Sequence, residues 1–169
     1  MKIERKYKIE KCVSTDSTRA NMTNIFVTKR SAMATDGHKL AVVPVTFESG
    51  DTEGWLTPAA LAQARKVTPK SMGDVVISLN GAQVLIDGTS IVRPNEEKPP
   101  KTASILENVQ KDRKFKIGLN VALLKDLADA LGSDELVLSF GSPVSAVMVT
   151  PLHSKAGAMG LLMPLRINN

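Results

Sequence analysis

Asp36 and His38 stand two residues apart, a spacing at which a carboxylate can orient an imidazole as a general base. No nucleophile is identifiable beside them, and His153 falls in a loop-like stretch, so the pair has nothing to activate. Asp36-Gly37 on its own is an ordinary hairpin turn. Cys12 is the single cysteine, which excludes an intramolecular disulfide and a thiolate metal site and reads as a small apolar side chain in a strand. Neither a Gly-rich phosphate loop nor a cluster of metal ligands is present in the sequence. The expectation is a non-enzyme with no catalytic residues, no cofactor and no metal.

The chemistry left is that of binding. Lys and Arg exceed Asp and Glu by 22 to 17, a net charge of +5, and nine of those cations against five acids fall in residues 1–50. A basic excess suits a polyanion, because neutralising phosphates releases counterions without reading sequence, although a solvated basic face also accounts for so modest a surplus. At 4% aromatic residues, stacking on single-stranded bases is not expected.

The elements that must position these groups are organised by an internal repeat. Gly54-Trp55-Leu56-Thr57-Pro58-Ala59-Ala60-Leu61-Ala62-Gln63 aligns without a gap on Ile117-Gly118-Leu119-Asn120-Val121-Ala122-Leu123-Leu124-Lys125-Asp126. Strands follow in each copy, Asp74–Leu79 in one and Glu135–Phe140 in the other, so each copy reads as strand, helix and three strands. Thr57 with Pro58, and Asn120, are helix-start signals, and Gly132 is a helix-stop signal. Val121, Leu124, Leu127, Ala128 and Leu131 form one apolar stripe.

In the first fifty residues the pattern predicts strands without a clear helix. Ile3, Tyr7, Ile9 and Val13 share one face at period two, predicting a half-buried strand, and Ser14–Asn21 reads as a loop. Strands are predicted over Asn24–Ala34, irregular near Arg30, and over Lys39–Phe47. Residues Pro94–Asp112 interleave prolines with charges and predict a linker in which Ile105 and Val109 are anchors. A chain of 169 residues that is 43% apolar can bury a real core. It carries neither a membrane-length apolar run nor a signal-like N-terminus, so a cytoplasmic protein is expected.

Ala34-Thr35-Asp36-Gly37-His38-Lys39-Leu40-Ala41-Val42 and Trp55-Leu56-Thr57-Pro58-Ala59-Ala60-Leu61 resemble, in that order, the second domain of the bacterial sliding clamp, the DNA polymerase III beta subunit. Phe115–Ile167, with Ser142-Pro143-Val144-Ser145-Ala146-Val147 and Met163-Pro164-Leu165-Arg166, resembles the last half of that family's third domain. The resemblance implies an α+β, DNA clamp-like fold of repeated strand-helix-three-strand units. It divides the chain into a clamp-like domain over 1–98 whose first helix is missing, a linker over 99–113, and a half-domain over 114–169. The chain is less than half the family subunit's length and lacks its first domain.

What the family's likeness implies for function is a non-catalytic polymerase processivity factor. In that family a pocket for short peptides of polymerases and repair proteins lies where these two parts meet. Carried over by position, Thr35, Gly37, His38, Lys39 and Leu40 form one wall, Leu161, Met163, Pro164, Leu165 and Arg166 the other, and Asn120, Leu123, Val144 and Ala146 the rim and floor. Met and Leu give an adaptable apolar surface, while His38 and Arg166 orient polar groups. Duplex DNA would be held through phosphates by Arg65, Lys66, Lys70 and Lys125. A homo-oligomer and a clamp loader are implied partners. The alternative is a non-ring module that binds or competes for clamp-binding peptides; a basic DNA-binding protein without the pocket is a third. Lys39 stands where the family often has Arg, Leu123 replaces a common aromatic, and Lys101-Thr102-Ala103-Ser104 departs from the family's basic, aromatic linker.

Overall fold

Helix α1 (Pro58–Val67) begins where the sequence places its cap. In the computed structural model, which describes residues 1–94, 99, 102–111, 115–153 and 157–167, Thr57 Oγ1 accepts the Ala60 N–H at 3.0 Å and Pro58 opens the first turn. A second helix, α2 (Thr102–Lys111), lies in the stretch whose prolines and charges predict a linker. Val109, expected as an anchor of that stretch, is exposed on this helix, and the side chain of Ile105, the other expected anchor, lies outside those described. Helix α3 (Val121–Leu131) is capped by Asn120 Oδ1, which accepts the Ala122 N–H at 2.9 Å, and it stops at Gly132.

The chain divides into two compact units, Met1–Ala103 and Ser104–Asn169. Among the described residues the first holds nine strands: β1 (Lys2–Glu4), β2 (Ile25–Val27), β3 (Ser31–Thr35), β4 (Leu40–Pro44), β5 (Gly54–Leu56), β6 (Asp74–Val76), β7 (Ser78–Asn80), β8 (Gln83–Ile86) and β9 (Thr89–Val92). They run as two similar halves, 1–47 and 54–93, each with a leading strand followed by a three-strand meander. The leading strands are exchanged. β1 pairs with β6, putting Ile3 opposite Val75, while β5 pairs with β2, putting Leu56 opposite Ile25. All four of those side chains are buried, so the exchange fuses the halves into one core that includes Val27, Ala34, Leu61, Ile77, Leu79, Val84 and Ile86.

Several predicted elements take a different form. The period-two run from Ile3 to Val13 is a strand only over Lys2–Glu4; a 3₁₀ turn, Ile9–Cys12, follows. Ile9 is nonetheless buried, and Tyr7 and Val13 pack against the same core, because the apolar spacing serves a turn lying on the core as well as a strand. The single strand expected over Asn24–Ala34 is the hairpin β2–β3, turned where Thr28 Oγ1 accepts the Ser31 N–H at 3.1 Å. Asp74–Leu79 is split at Ile77, whose N–H donates to the Met1 carbonyl at 3.0 Å, letting one segment serve β1 and the next serve β8.

The Met1 ammonium is buried in this unit, where it meets the Asp51 carboxylate and donates to the Ile77 carbonyl at 2.6 Å. Arg93, 6% exposed, donates from Nε to the Trp55 carbonyl at 2.8 Å and from Nη1 to the carbonyls of Thr52 and Gly81. That guanidinium joins the end of β9 to β5 through side-chain hydrogen bonds.

The second unit holds α3 and an antiparallel sheet of β10 (Leu136–Ser139), β11 (Val147–Pro151) and β12 (Gly160–Leu162) in that order. Val147, Val149 and Leu162 are buried, with Leu124, Leu127 and Leu131 of α3 packed against them. Segment 117–119 leads this half and is bridged to the chain beyond β12 at Gly118 and Leu165.

Candidate functional site

The β3–β4 hairpin is fixed by its own polar groups. Asp36 Oδ1 accepts the N–H groups of His38 and Lys39, both at 2.9 Å, Thr35 Oγ1 donates to the Lys39 carbonyl at 2.8 Å, and Lys39 Nζ lies 3.1 Å from Asp36 Oδ2. The N–H of Lys39 and then that of His38 hold the Asp36 carboxyl well below the usual carboxylate range. Asp36 therefore engages His38 through the main chain, as a turn former does. Gly37 sits at φ +92, a backbone conformation that L side chains rarely adopt, which is why the turn takes glycine here.

Four of the five wall residues of this hairpin border two separate depressions, and Gly37 lines neither. Thr35 and Leu40 border a narrow apolar slot of about 10 Å³ with Phe26, Met33, Ala34 and Trp55. The Phe26 and Trp55 rings meet edge to face with centroids 5.1 Å apart, and Thr102 Oγ1 donates to Met33 Sδ at 3.4 Å. His38 and Lys39 instead border a polar groove with Lys11, Asp16, Arg19 and Asp36. Sequence reasoning missed Phe26, Met33 and Trp55 as site residues; they lie on three strands, β2, β3 and β5, whose register sets Phe26 opposite both Met33 and Trp55.

In the second unit, Val144, Met163, Pro164, Leu165 and Arg166 come together in an open groove of about 500 Å³, joined by Pro143 and Ile167, which sequence reasoning had not singled out. Met163 is 66% exposed, so this apolar surface is not core. Its backbone is held by the Leu165 N–H donating to the Gly118 carbonyl at 2.8 Å. Asn120 caps α3, Leu123 lies exposed on the same helix, Ala146 is half-buried before β11 and Leu161 pairs with Met148; none of the four lines that groove.

Among the residues carried over as phosphate contacts, Lys66 and Lys70 are exposed. Lys125 pairs with Asp129 at 2.8 Å. Arg65 lies against the turn after β1, where it donates to the Arg5 carbonyl at 2.9 Å and to the Tyr7 carbonyl and pairs with Glu10 at 3.2 Å. Arg5 returns the contact, donating to the carbonyls of Arg65, Thr68 and Pro69 at the C-terminal end of α1. Arg65→Ala should accordingly destabilise the protein by about 2 kcal/mol, measured by urea unfolding, while leaving the salt dependence of any DNA binding unchanged in folded protein. Among the described residues there is no group of His, Cys, Asp and Glu able to hold a metal, and no helix long and apolar enough to cross a membrane.

Exchanged leading strands, meanders and helices in repeated halves make this a DNA clamp-like fold. The chain is similar over 99% of its length to the beta subunit of DNA polymerase from Streptococcus pyogenes, with a TM-score of 0.55 and 15% identity. A sliding clamp, DNA polymerase III subunit beta, of Bartonella birtlesii, solved with griselimycin bound, aligns over 94% of the chain with 17% identity and a TM-score of 0.43. This chain spans 66% and 62% of those two proteins, less than two thirds of either. No protein-family model and no curated relative matches it.

Proposed function

We propose that this protein is a non-catalytic, clamp-like processivity factor that receives short linear peptides of polymerases or repair proteins and holds duplex DNA through phosphates. The observation that carries the reading is an exposed Met163–Ile167 groove on a clamp-like fold. Such a groove suits a few apolar anchor side chains, with Arg166 at its rim to pair a peptide carboxylate. Thr35, Gly37, His38, Lys39 and Leu40 are the second peptide-contacting group, and Asn120, Leu123, Val144, Ala146 and Leu161 the flanking one. Lys66 and Lys70 are the principal phosphate contacts, a homo-oligomer is the working form, and a clamp loader places it on DNA.

Fluorescence anisotropy with a labelled clamp-binding peptide tests the pocket. Met163→Ala should weaken binding about tenfold, the scale of truncating one interface anchor, and His38→Ala less. Unchanged affinity in both variants would remove the site from these residues. Retention on nicked circular DNA with loss after linearisation tests encirclement; equal retention on both forms would contradict it.

The internal engagement of Arg65 and Lys125 favours a second reading, a module that binds or competes for clamp-binding peptides without a ring. Peptide binding with no detectable DNA affinity at low salt distinguishes it.

A further inference from the structure

The three halves of this chain share one plan, and only two of them are complete. In each, the leading strand lies beside the end of its own meander: Lys2 bridges Thr46, Trp55 receives Arg93 Nε, and Gly118 bridges Leu165. In the first unit the other edge of each leading strand pairs with the first meander strand of the other half, as β1 with β6 and β5 with β2. The half over 115–167 has the same two edges, one along 117–119 and one along β10, and among the described residues neither is paired.

The main-chain directions show that both edges are set for pairing. The Leu152 N–H donates to the Glu135 carbonyl, so residues 135, 137 and 139 address β11 while Leu136 and Leu138 turn their main-chain groups outward. The Leu165 N–H donates to the Gly118 carbonyl, so Ile117 and Leu119 likewise turn theirs outward. Burial is correspondingly unfinished. α1 buries Ala60, Leu61 and Ala64 in the core that the two halves of the first unit share, whereas α3 has no buried residue among those described, and Val137, Phe140, Met148 and Leu161 are exposed. A half in which, among the described residues, Val147, Val149 and Leu162 are the buried core is marginal alone. Unpaired apolar strand edges are also templates for association.

We propose that two copies of this chain join through their 115–167 halves by a two-fold exchange, segment 117–119 of each pairing antiparallel with β10 of the other. The occupant is a second copy because one half carries both members of the complementary pair, the condition for a closed, isologous contact. The first unit sets the register. The repeat aligns Leu119 with Leu56 and Leu136 with Val75, and the buried pairs Leu56–Ile25 and Ile3–Val75 then place Leu119 opposite Leu136 of the second copy. Gly118 falls opposite Val137 and Ile117 opposite Leu138, so that the outward-facing main-chain groups of both edges meet. Lys116 falls opposite Ser139. This pairing is independent of peptide or DNA binding.

The full-length chain is tested in two ways. Analytical ultracentrifugation at high micromolar concentration should give a multiple of two of the 18.1 kDa chain, and hydrogen exchange should show Ile117, Leu119, Leu136 and Leu138 amides protected. In a Cys12→Ala background, Lys116→Cys with Ser139→Cys should oxidise to a covalent dimer. Within one chain these positions lie on opposite edges of the sheet, about 14 Å apart, beyond disulfide reach. A monomer with rapid exchange at those four amides overturns the proposal, as does an oligomer that neither protects them nor forms the cross-link.

Discussion

Replacing Asp51 with Asn should lower the unfolding free energy by about 4 kcal/mol at neutral pH, the scale of breaking a buried ion pair. Its side chain is 3% exposed and has three donors in place: the Met1 ammonium and the Glu48 N–H at Oδ2, and the Leu79 N–H at Oδ1. Asn keeps one acceptor and turns an NH₂ toward a donor, leaving the ammonium without its counter-charge. Burial pushes the Asp51 carboxyl up, but hydrogen bonds from Leu79, the ammonium and Glu48 outweigh it and leave the group below the usual range. A depressed carboxylate stabilises above its unfolded pKa of about 3.9, and that contribution is lost as pH falls through the folded value. The stability gap between parent and variant should therefore be full at pH 7 and should shrink as pH falls below about 4. Urea unfolding across that range measures it, and equal stabilities at pH 7 would refute the assignment.

Features set by neighbouring residues were legible in the sequence. Thr57-Pro58, Asn120 and Gly132 bound their helices because a cap needs only groups within one turn. Pairings between distant residues were not. The exchange of β1 and β5 joins residues some seventy and thirty positions apart, and nothing in either strand's own pattern names its partner. Ile3, Tyr7, Ile9 and Val13 were legible as core-facing residues but not as parts of a strand and a turn, since both conformations bring the same side chains inward.

For the candidate site, the Met163–Arg166 segment stood out through its family likeness and forms an exposed groove. Phe26, Met33 and Trp55 stood out less, because their meeting depends on strand register. Arg65 shows the limit of reading charge from sequence. A cation in the last turn of a helix looks like a phosphate contact, yet the same position lets it reach the carbonyls of Arg5 and Tyr7. Whether a surface cation serves DNA or its own fold is decided by such long-range neighbours.

Arg93 makes that point with a comparably large expected effect: Arg93→Met should cost about 4 kcal/mol. Three carbonyls, those of Thr52, Trp55 and Gly81, lose a charged donor in an environment where the guanidinium is almost fully buried. Each buried acceptor left unmade costs about 1–3 kcal/mol, partly offset because the methionine stem still fills the volume. Arg93→Lys should recover only part of the loss, since one ammonium cannot span three carbonyls that a planar fork reaches together. Gly54 depends on the same contact. It sits at φ +139, and a Cβ there would stand 2.8 Å from Arg93 Nη2. Gly54→Ala should therefore destabilise by about 2 kcal/mol from backbone strain and displacement of the guanidinium. In Arg93→Met the displaced guanidinium is absent, so the second substitution should cost less than it does alone. Urea unfolding of the four-member cycle checks this, and strictly additive losses would mean that Gly54 and Arg93 are not coupled.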